Sequence, residues 1–243
     1  MARSVGRSFF KKSIEQRRLE RCSRCGIRLP LCFCEQIPRI ETATRLLVVM
    51  HVAELNLTSN TGRLATRALV NSAIRLRGRP TTAEGTTYKG FDLDGVESSP
   101  PATTGGTPLV LFPSEGASEL TPSFVASLQG PVTLIVPDGS WRQARKAVVR
   151  EPDLASARKV MLPAGGPPSE YQLRAEPDEQ SVCTYEAVAR AFGVLEGAQV
   201  QVELERLFRV MVGRSLWARG MIQADQVPGG IPERALTRGA VPE

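Results

Sequence analysis

Apolar positions along this chain switch repeatedly between two periods. Arg45 to Met50 reads RLLVVM and ends at His51, LVLF runs from Leu109 to Phe112, VTLIV from Val132 to Val136, and RKVML from Arg158 to Leu162. Short, nearly continuous runs rich in β-branched residues predict strands buried on both faces. Between them the spacing changes to three and four. TGRLATRALVNSAIRL, Thr61 to Leu76, places Leu64, Ala65, Ala68, Leu69 and Ala73 at helical intervals, and WRQARKAVVR from Trp141, TYEAVARAFGVL from Thr184 and QVQVELERLFRVMVGRSLWARG from Gln199 read as three more helices. In the last, Val200, Leu204, Leu207, Met211 and Leu216 form a stripe that predicts packing on the sheet.

The alternation predicts an α/β fold, a mostly parallel sheet flanked by helices. Gly78 to Thr107, rich in Gly, Pro, Thr and Ser, interrupts it as a long mobile loop with at most a short strand at Thr86 to Phe91. PSEGASEL, after LVLF, reads as a turn opening a short helix. After Met221 the Pro and Gly content predicts a poorly ordered tail. No internal repeat is visible, and neither G-x-G-x-x-G nor G-x4-G-K-[ST] occurs, which excludes the standard dinucleotide and P-loop sites.

Composition adds location. With 243 residues, 42% of them apolar and 23% charged, the chain suits one sizeable core and a small appendage. No apolar run approaches the ~20 residues of a membrane span. No apolar stretch follows the basic N-terminus as a secretory signal requires. The expectation is a cytoplasmic protein with no membrane contact and no stable protein partner. The net charge of +6 is unevenly placed: residues 1–45 hold eleven Lys/Arg against four Asp/Glu, and the other 198 hold twenty against twenty-one. A local basic segment suits phosphates; a solvated tail is the plainer alternative.

Four of five cysteines fall within CSRCGIRLPLCFC: Cys22, Cys25, Cys32 and Cys34. Two disulfides would need an oxidising compartment, whereas four thiolates make the soft tetrahedral shell that Zn²⁺ prefers. Reduced structural cysteines are the alternative. Arg18, Arg21, Arg24 and Arg28 flank or interleave the cluster, which gives it a basic surface for nucleic acid. Cys183 stands apart as a buried free thiol. The organisation expected is a basic segment at 1–21, a cysteine appendage at 22–40, a catalytic domain at 41–220 and a flexible tail at 221–243.

Polar residues collect where the strands end, which is where open α/β sheets bind ligands. His51 and Glu54 follow the first strand, Pro113, Ser114, Glu115 and Gly116 follow LVLF, and Asp138, Gly139, Ser140 and Trp141 follow VTLIV. Each cluster has a structural reading too, Asp-Gly as a turn and Ser140 or Ser114 as helix caps. Trp141 offers a stacking face for a base. Arg142, Arg145 and Lys146 share a helix side that suits a phosphate backbone or plain solvent.

Taken in order, these stretches resemble the DTW-domain family, tRNA-uridine aminocarboxypropyltransferases that use S-adenosylmethionine. The matching motifs are the cysteine cluster, MHVAELNLTSNTGR with His51, Glu54, Asn60, Thr61 and Arg63, then LFPSEGA, Asp138-Gly-Ser-Trp141 with its basic helix, Tyr171-Gln-Leu-Arg174, and Thr184-Tyr-Glu186-Ala187. Ser140 stands where the family has Thr, and Met50 and Val52 flank His51 where Gln and Pro are expected.

The resemblance implies a SPOUT-like domain, in which a C-terminal knot around the cofactor site is one arrangement. It also implies transfer of the 3-amino-3-carboxypropyl group to N3 of a tRNA uridine, position 47 of the variable loop being the usual bacterial target. In that setting Asp138 either accepts the N3 proton or holds the uracil. Trp141 and Ser140 complete the catalytic set, and Pro113 to Gly116, Gly139, Tyr171, Arg174, Thr184 and Glu186 contact the cofactor. His51, Glu54, Asn60, Arg63, Arg142, Arg145 and Lys146 meet the RNA. Arg174 and Glu186 are the candidates for the cofactor's amino-acid end, or for a pair with each other. The same transfer or a SPOUT-type methylation on ribosomal RNA, and a non-catalytic zinc-dependent RNA binder, are the alternatives.

Overall fold

The computed structural model describes residues 20–57, 60–78, 96–97, 106–173 and 181–236. Seven strands form one sheet: β1 Arg45–His51, β2 Ser72–Arg77, β3 Val96–Glu97, β4 Thr107–Leu111, β5 Ser118–Glu119, β6 Val132–Asp138 and β7 Arg158–Met161. Their spatial order is β3-β2-β1-β6-β4-β7-β5, and every pairing is parallel. β1 and β6 lie at the centre, in register from Arg45 opposite Thr133 to Met50 opposite Asp138.

The apolar runs are continuous because both faces of the sheet are covered. Leu46, Val48 and Met50 of β1 and Leu134 and Val136 of β6 join one buried cluster, while Leu47, Val49 and Ile135 join another. Helices α1 Gly62–Ala68, α5 Thr184–Glu196 and α6 Ala198–Ala218 pack into the first cluster. So do Ile27, Leu31 and Phe33 of the cysteine segment, which is therefore seated in the main core. Helices α3 Trp141–Arg150 and α4 Pro152–Ser156 pack into the second. Ion pairs Arg75–Asp153 (2.5 Å) and Arg77–Glu151 (3.0 Å) tie β2 to that layer.

Three elements depart from the sequence reading. The helix expected over Thr61 to Leu76 ends at Ala68, and its second half is β2. The Ser72 hydroxyl donates to the Leu69 carbonyl (2.5 Å) and the Thr66 carbonyl (3.2 Å), which satisfies the helix end, and Leu46–His51 then pair in register with Ser72–Arg77. Sheet pairing overrides the helical spacing. PSEGASEL is a turn, with the Ala117 N–H donating to the Ser114 carbonyl, that leads into β5. The short helix α2, Pro122–Ala126, starts later, at a Thr121 cap whose hydroxyl accepts from the Phe124 N–H.

Residues 221–236, expected as a loose tail, contain a 3-10 turn at Ala224–Gln226 and helix α7 Glu233–Leu236 with Ala235 fully buried. The reason is apolar contact at Val227 and Ala235, which outweighs the Pro and Gly composition. The strand expected at Thr86 to Phe91, the basic residues before position 20, and Arg174 lie outside the described residues.

Candidate active site and metal centre

In a parallel sheet all carboxyl ends lie on one edge, and here those of β4, β6 and β7 open into a cavity of about 790 Å³. Phe112 and Pro113 line it after β4, Asp138 to Trp141 after β6, and Leu162 to Pro168 after β7. Glu54, Asn60 and Thr61 close it from the β1 side, and Tyr171, Ser181 to Thr184 and Arg190 from the α5 side. The size suits a small-molecule ligand with room for a base.

Asp138 is 5% exposed and is the junction of three elements. Its Oδ2 accepts from Asn60 Nδ2 and its Oδ1 from the Thr184 hydroxyl, both at 2.6 Å. Asn60 precedes α1, and Thr184 is the first residue of α5. A Cβ on Gly62 would lie 2.9 Å from the Asp138 carboxyl carbon, so glycine lets the start of α1 close on the carboxylate. The Thr61 hydroxyl accepts from the Tyr185 N–H at 3.3 Å, a second tie between the two helix starts.

Ser140 has the capping role its position suggested. Its hydroxyl accepts from the Gln143 N–H, and Gln143 Oε1 accepts from the Ser140 N–H at 2.7 Å. The preceding Gly139 has φ +153°, and a Cβ there would meet Gln143 and His51. Trp141 is 44% exposed, lines the cavity and packs tilted on Phe112 at 5.9 Å. An exposed indole at a cavity wall is a platform for an aromatic ring.

The sequence-predicted cofactor set divides. Pro113, Gly139, Tyr171 and Thr184 line the cavity, whereas Ser114, Glu115 and Gly116 are exposed outside its wall. Glu186 faces elsewhere: its oxygens accept from the Ser169 hydroxyl (2.6 Å), the Glu170 N–H (2.6 Å) and the Cys183 N–H (3.1 Å), closing the α5 capping box and fixing the 169–171 segment. Cys183 is a buried free thiol, with burial pushing its pKa well up. Arg190 and the PAGGPP segment were not singled out from the sequence. That segment is a Gly/Pro cluster at a strand end, the same signal that marked the other two.

The set expected to meet RNA divides as well. Glu54 and Asn60 belong to the cavity. Arg63 is buried, and a Cβ on Gly26 of the cysteine loop would sit 2.7 Å from its Nη2. His51, Arg142 and Lys146 join Arg77, Ser140 and Gln143 around a second pocket of about 400 Å³. Arg145 is exposed and lines neither pocket. His51 Nδ1 accepts from the Ala53 N–H at 3.2 Å and lies 3.1 Å from Gln143 Nε2, which assigns the ring proton to Nε2. Burial, with Arg77 nearby, holds the His51 pKa below its usual value.

Packed against the first core cluster, the Sγ atoms of Cys22, Cys25, Cys32 and Cys34 lie within 4.8 Å of one another, with Cys22–Cys34 at 3.4 Å and Cys25–Cys32 at 3.8 Å. A tetrahedral site with metal–sulfur bonds of about 2.3 Å separates its sulfurs by about 3.8 Å, so the donor set fits a soft cation. Burial pushes the Cys25 thiol up to about 12 and raises Cys34 as well, and a bound cation is what would hold them as thiolates. Arg214 of α6, 2% exposed, clamps the loop: it donates to the carbonyls of Leu31 (3.0 Å), Cys32 (2.8 Å), Gly229 (3.2 Å) and Gly230 (2.9 Å). Arg234 adds bonds to the Pro30 and Cys32 carbonyls.

These features define an α/β protein with a strand-end cavity beside a basic pocket, and with a tetracysteine cluster seated in the same core. The chain belongs to the DTW-domain family, whose model matches residues 19–216. It is 28% identical over 190 residues to tRNA-uridine aminocarboxypropyltransferase 2 of Drosophila melanogaster, covering 74% of this chain and 68% of the fly protein. To the Macaca fascicularis protein of that name it is 27% identical over 183 residues, covering 74% and 58%. To tRNA-uridine aminocarboxypropyltransferase A of Arabidopsis thaliana it is 30% identical over 226 residues, covering 79% of each chain. No solved structure matches the chain. No helix among the described residues is long and apolar enough to cross a membrane.

Proposed function

We propose that this protein transfers the 3-amino-3-carboxypropyl group of S-adenosylmethionine to N3 of a tRNA uridine, position 47 in the variable loop being the first candidate. The observation that carries the reading is the cavity that sets Asp138 and Trp141 together at the carboxyl ends of the central strands. The similar fly, macaque and plant proteins are named for aminocarboxypropyl transfer to tRNA uridine, which supports the reading.

S-adenosylmethionine supplies a sulfonium-activated γ-carbon: the bond to N3 forms as the carbon–sulfur bond breaks, methylthioadenosine leaves, and the N3 proton passes to water. The protein chooses among the three carbons on sulfur by placement. Trp141 and Phe112 offer the ring face for a base. Asp138, with each oxygen already accepting a short hydrogen bond, is better placed to fix the two helix starts and hold the uracil N–H than to take its proton. Beside it, the pocket of His51, Arg142 and Lys146 presents cations with no carboxylate among its described lining residues, which suits an RNA phosphate.

The four cysteines are assigned to structural Zn²⁺. Four thiolates around Zn²⁺ carry two net negative charges, and Arg214 and Arg234, both bonded to the Cys32 carbonyl, supply compensating charge.

Nucleoside mass spectrometry of tRNA from a deletion strain tests the reading. The aminocarboxypropyl uridine should vanish, return with the wild-type gene and stay absent with Asp138→Ala. An unchanged tRNA profile in the deletion strain refutes it.

A further inference from the structure

We propose that Arg190 is the counter-ion for the carboxylate of the transferred aminocarboxypropyl group, an assignment that rests on the donor named above. Among the described lining residues the cavity carries two carboxylates, Glu54 and Asp138, and one cation, Arg190. They sit at opposite ends. Asp138 ends β6 and Glu54 follows β1, its neighbour, whereas Arg190 projects from α5 toward the loop that follows β7, two strands from β6. At about 4.8 Å per strand this separates the acidic and basic ends by roughly 10 Å.

A ligand with a carboxylate at one end and a sulfonium-bound alkylating carbon nearer its middle is therefore favoured in one direction, its carboxylate toward Arg190 and its sulfonium toward the acidic end. The carboxylate lies toward β7 and the reacting carbon toward Asp138 and Trp141. Among the described residues the wall near Arg190 is formed by Pro163 to Pro168 and Ala187, which carry no other cation, and a carboxylate held there needs one.

Arg190 is also held ready for such a contact. Its Nη2 donates to the Pro168 carbonyl at 3.3 Å, and among the described residues Nη1 and Nε have no acceptor. A Cβ on Gly166 would come within 3.3 Å of Nη1, so glycine leaves that edge of the guanidinium open. A guanidinium with two free N–H directions matches a carboxylate. Glu186, expected at this end of the ligand, is occupied by Ser169, Glu170 and Cys183.

The test is titration calorimetry on the full chain with three ligands: S-adenosylmethionine, its decarboxylated analogue, and methylthioadenosine, which lacks the aminocarboxypropyl group. Arg190→Gln is expected to weaken S-adenosylmethionine about tenfold, the low end for a charged hydrogen bond because the side chain is partly exposed. The other two ligands should bind as they do to wild type, and Arg190→Lys should recover part of the loss. Equal weakening of all three ligands shows a structural role and overturns the proposal, as does no weakening at all. If wild type binds methylthioadenosine and the decarboxylated analogue as tightly as S-adenosylmethionine, the carboxylate is not recognised and the proposal falls while the donor assignment stands. If none of the three binds, the donor assignment itself falls.

Discussion

The four sulfurs of the cysteine cluster come from thirteen consecutive residues, whereas the three side chains that meet at the Asp138 corner come from positions 60, 138 and 184. The support runs the other way. The cysteine loop is held by Arg214 and Arg234 from the far end of the chain, while the Asp138 corner braces itself, each helix start bonded to the carboxylate that joins them. A cluster that is local in sequence needs distant residues to seat it in the core. A cluster assembled from distant residues must carry its own ties.

The largest expected effect comes from removing the distant support. Arg214→Ala takes the donor from the buried Leu31 carbonyl, at about 1–3 kcal/mol, and empties the space of a side chain that is 2% exposed, so a loss of about 4 kcal/mol is expected even though Cys32 keeps Arg234 and Gly229 keeps Gln36. Urea denaturation measures it, and metal content per chain should fall with it. A loss under about 1 kcal/mol would mean that the apolar residues and Arg234 seat the loop without Arg214.

Asp138→Ala comes next, at about 3 kcal/mol, because Asn60 and Thr184 both lose a charged acceptor. Thr184→Val and Asn60→Ala should cost about 1.5 kcal/mol each; once Asp138 is gone Thr184→Val should cost nothing further, and Asn60→Ala only what its other bond, Oδ1 accepting from the Arg63 N–H, is worth. Additive losses in that cycle would show that the corner is not a unit. Gly62→Ala sharpens the same point through its sign. Alanine normally stabilises a helix by up to about 1 kcal/mol over glycine. Here the added Cβ lies 2.9 Å from the Asp138 carboxyl carbon, so a loss of about 1–2 kcal/mol is expected in the same melts.

The same contrast explains what could be read from the sequence. The tetracysteine spacing, the β6 strand and the Ser140 cap are fixed by near neighbours, and each has the form the sequence implied. The helix–strand break at Ala68 depends on β1, some twenty residues earlier, so local spacing misses it. Glu186 matches a family motif, yet its direction is set by the 169–171 segment that folds over it. Arg190 is one of many arginines until the β7 loop comes to lie against it. Residues whose roles follow from contacts made more than a hundred positions away, as with Arg214 and the cysteine loop, leave no local signal.

The basic pocket offers a smaller effect, confined to binding. Lys146→Gln should lower tRNA affinity and reduce the slope of log affinity against log salt by about one, with S-adenosylmethionine binding unchanged. An unchanged slope would place the phosphate elsewhere.

The smallest effect is the titration of His51, which links that pocket to the Asp138 corner through Gly139. Burial and Arg77 hold its pKa below the usual 6.5. Between the folded value and 6.5 the unfolded chain therefore binds more protons than the native one. The stability this residue contributes is fully present above 6.5 and is lost as pH falls through the folded value. Protonation also removes the Nδ1 acceptor that caps the 3-10 turn Val52–Asn56 at the Ala53 N–H. His51→Asn keeps a capping oxygen and removes the titration. Thermal melts from pH 7.5 to 5 should show a steeper decline for wild type than for the variant. Parallel profiles would mean that His51 titrates alike in the two states, and the cap would then owe nothing to its charge.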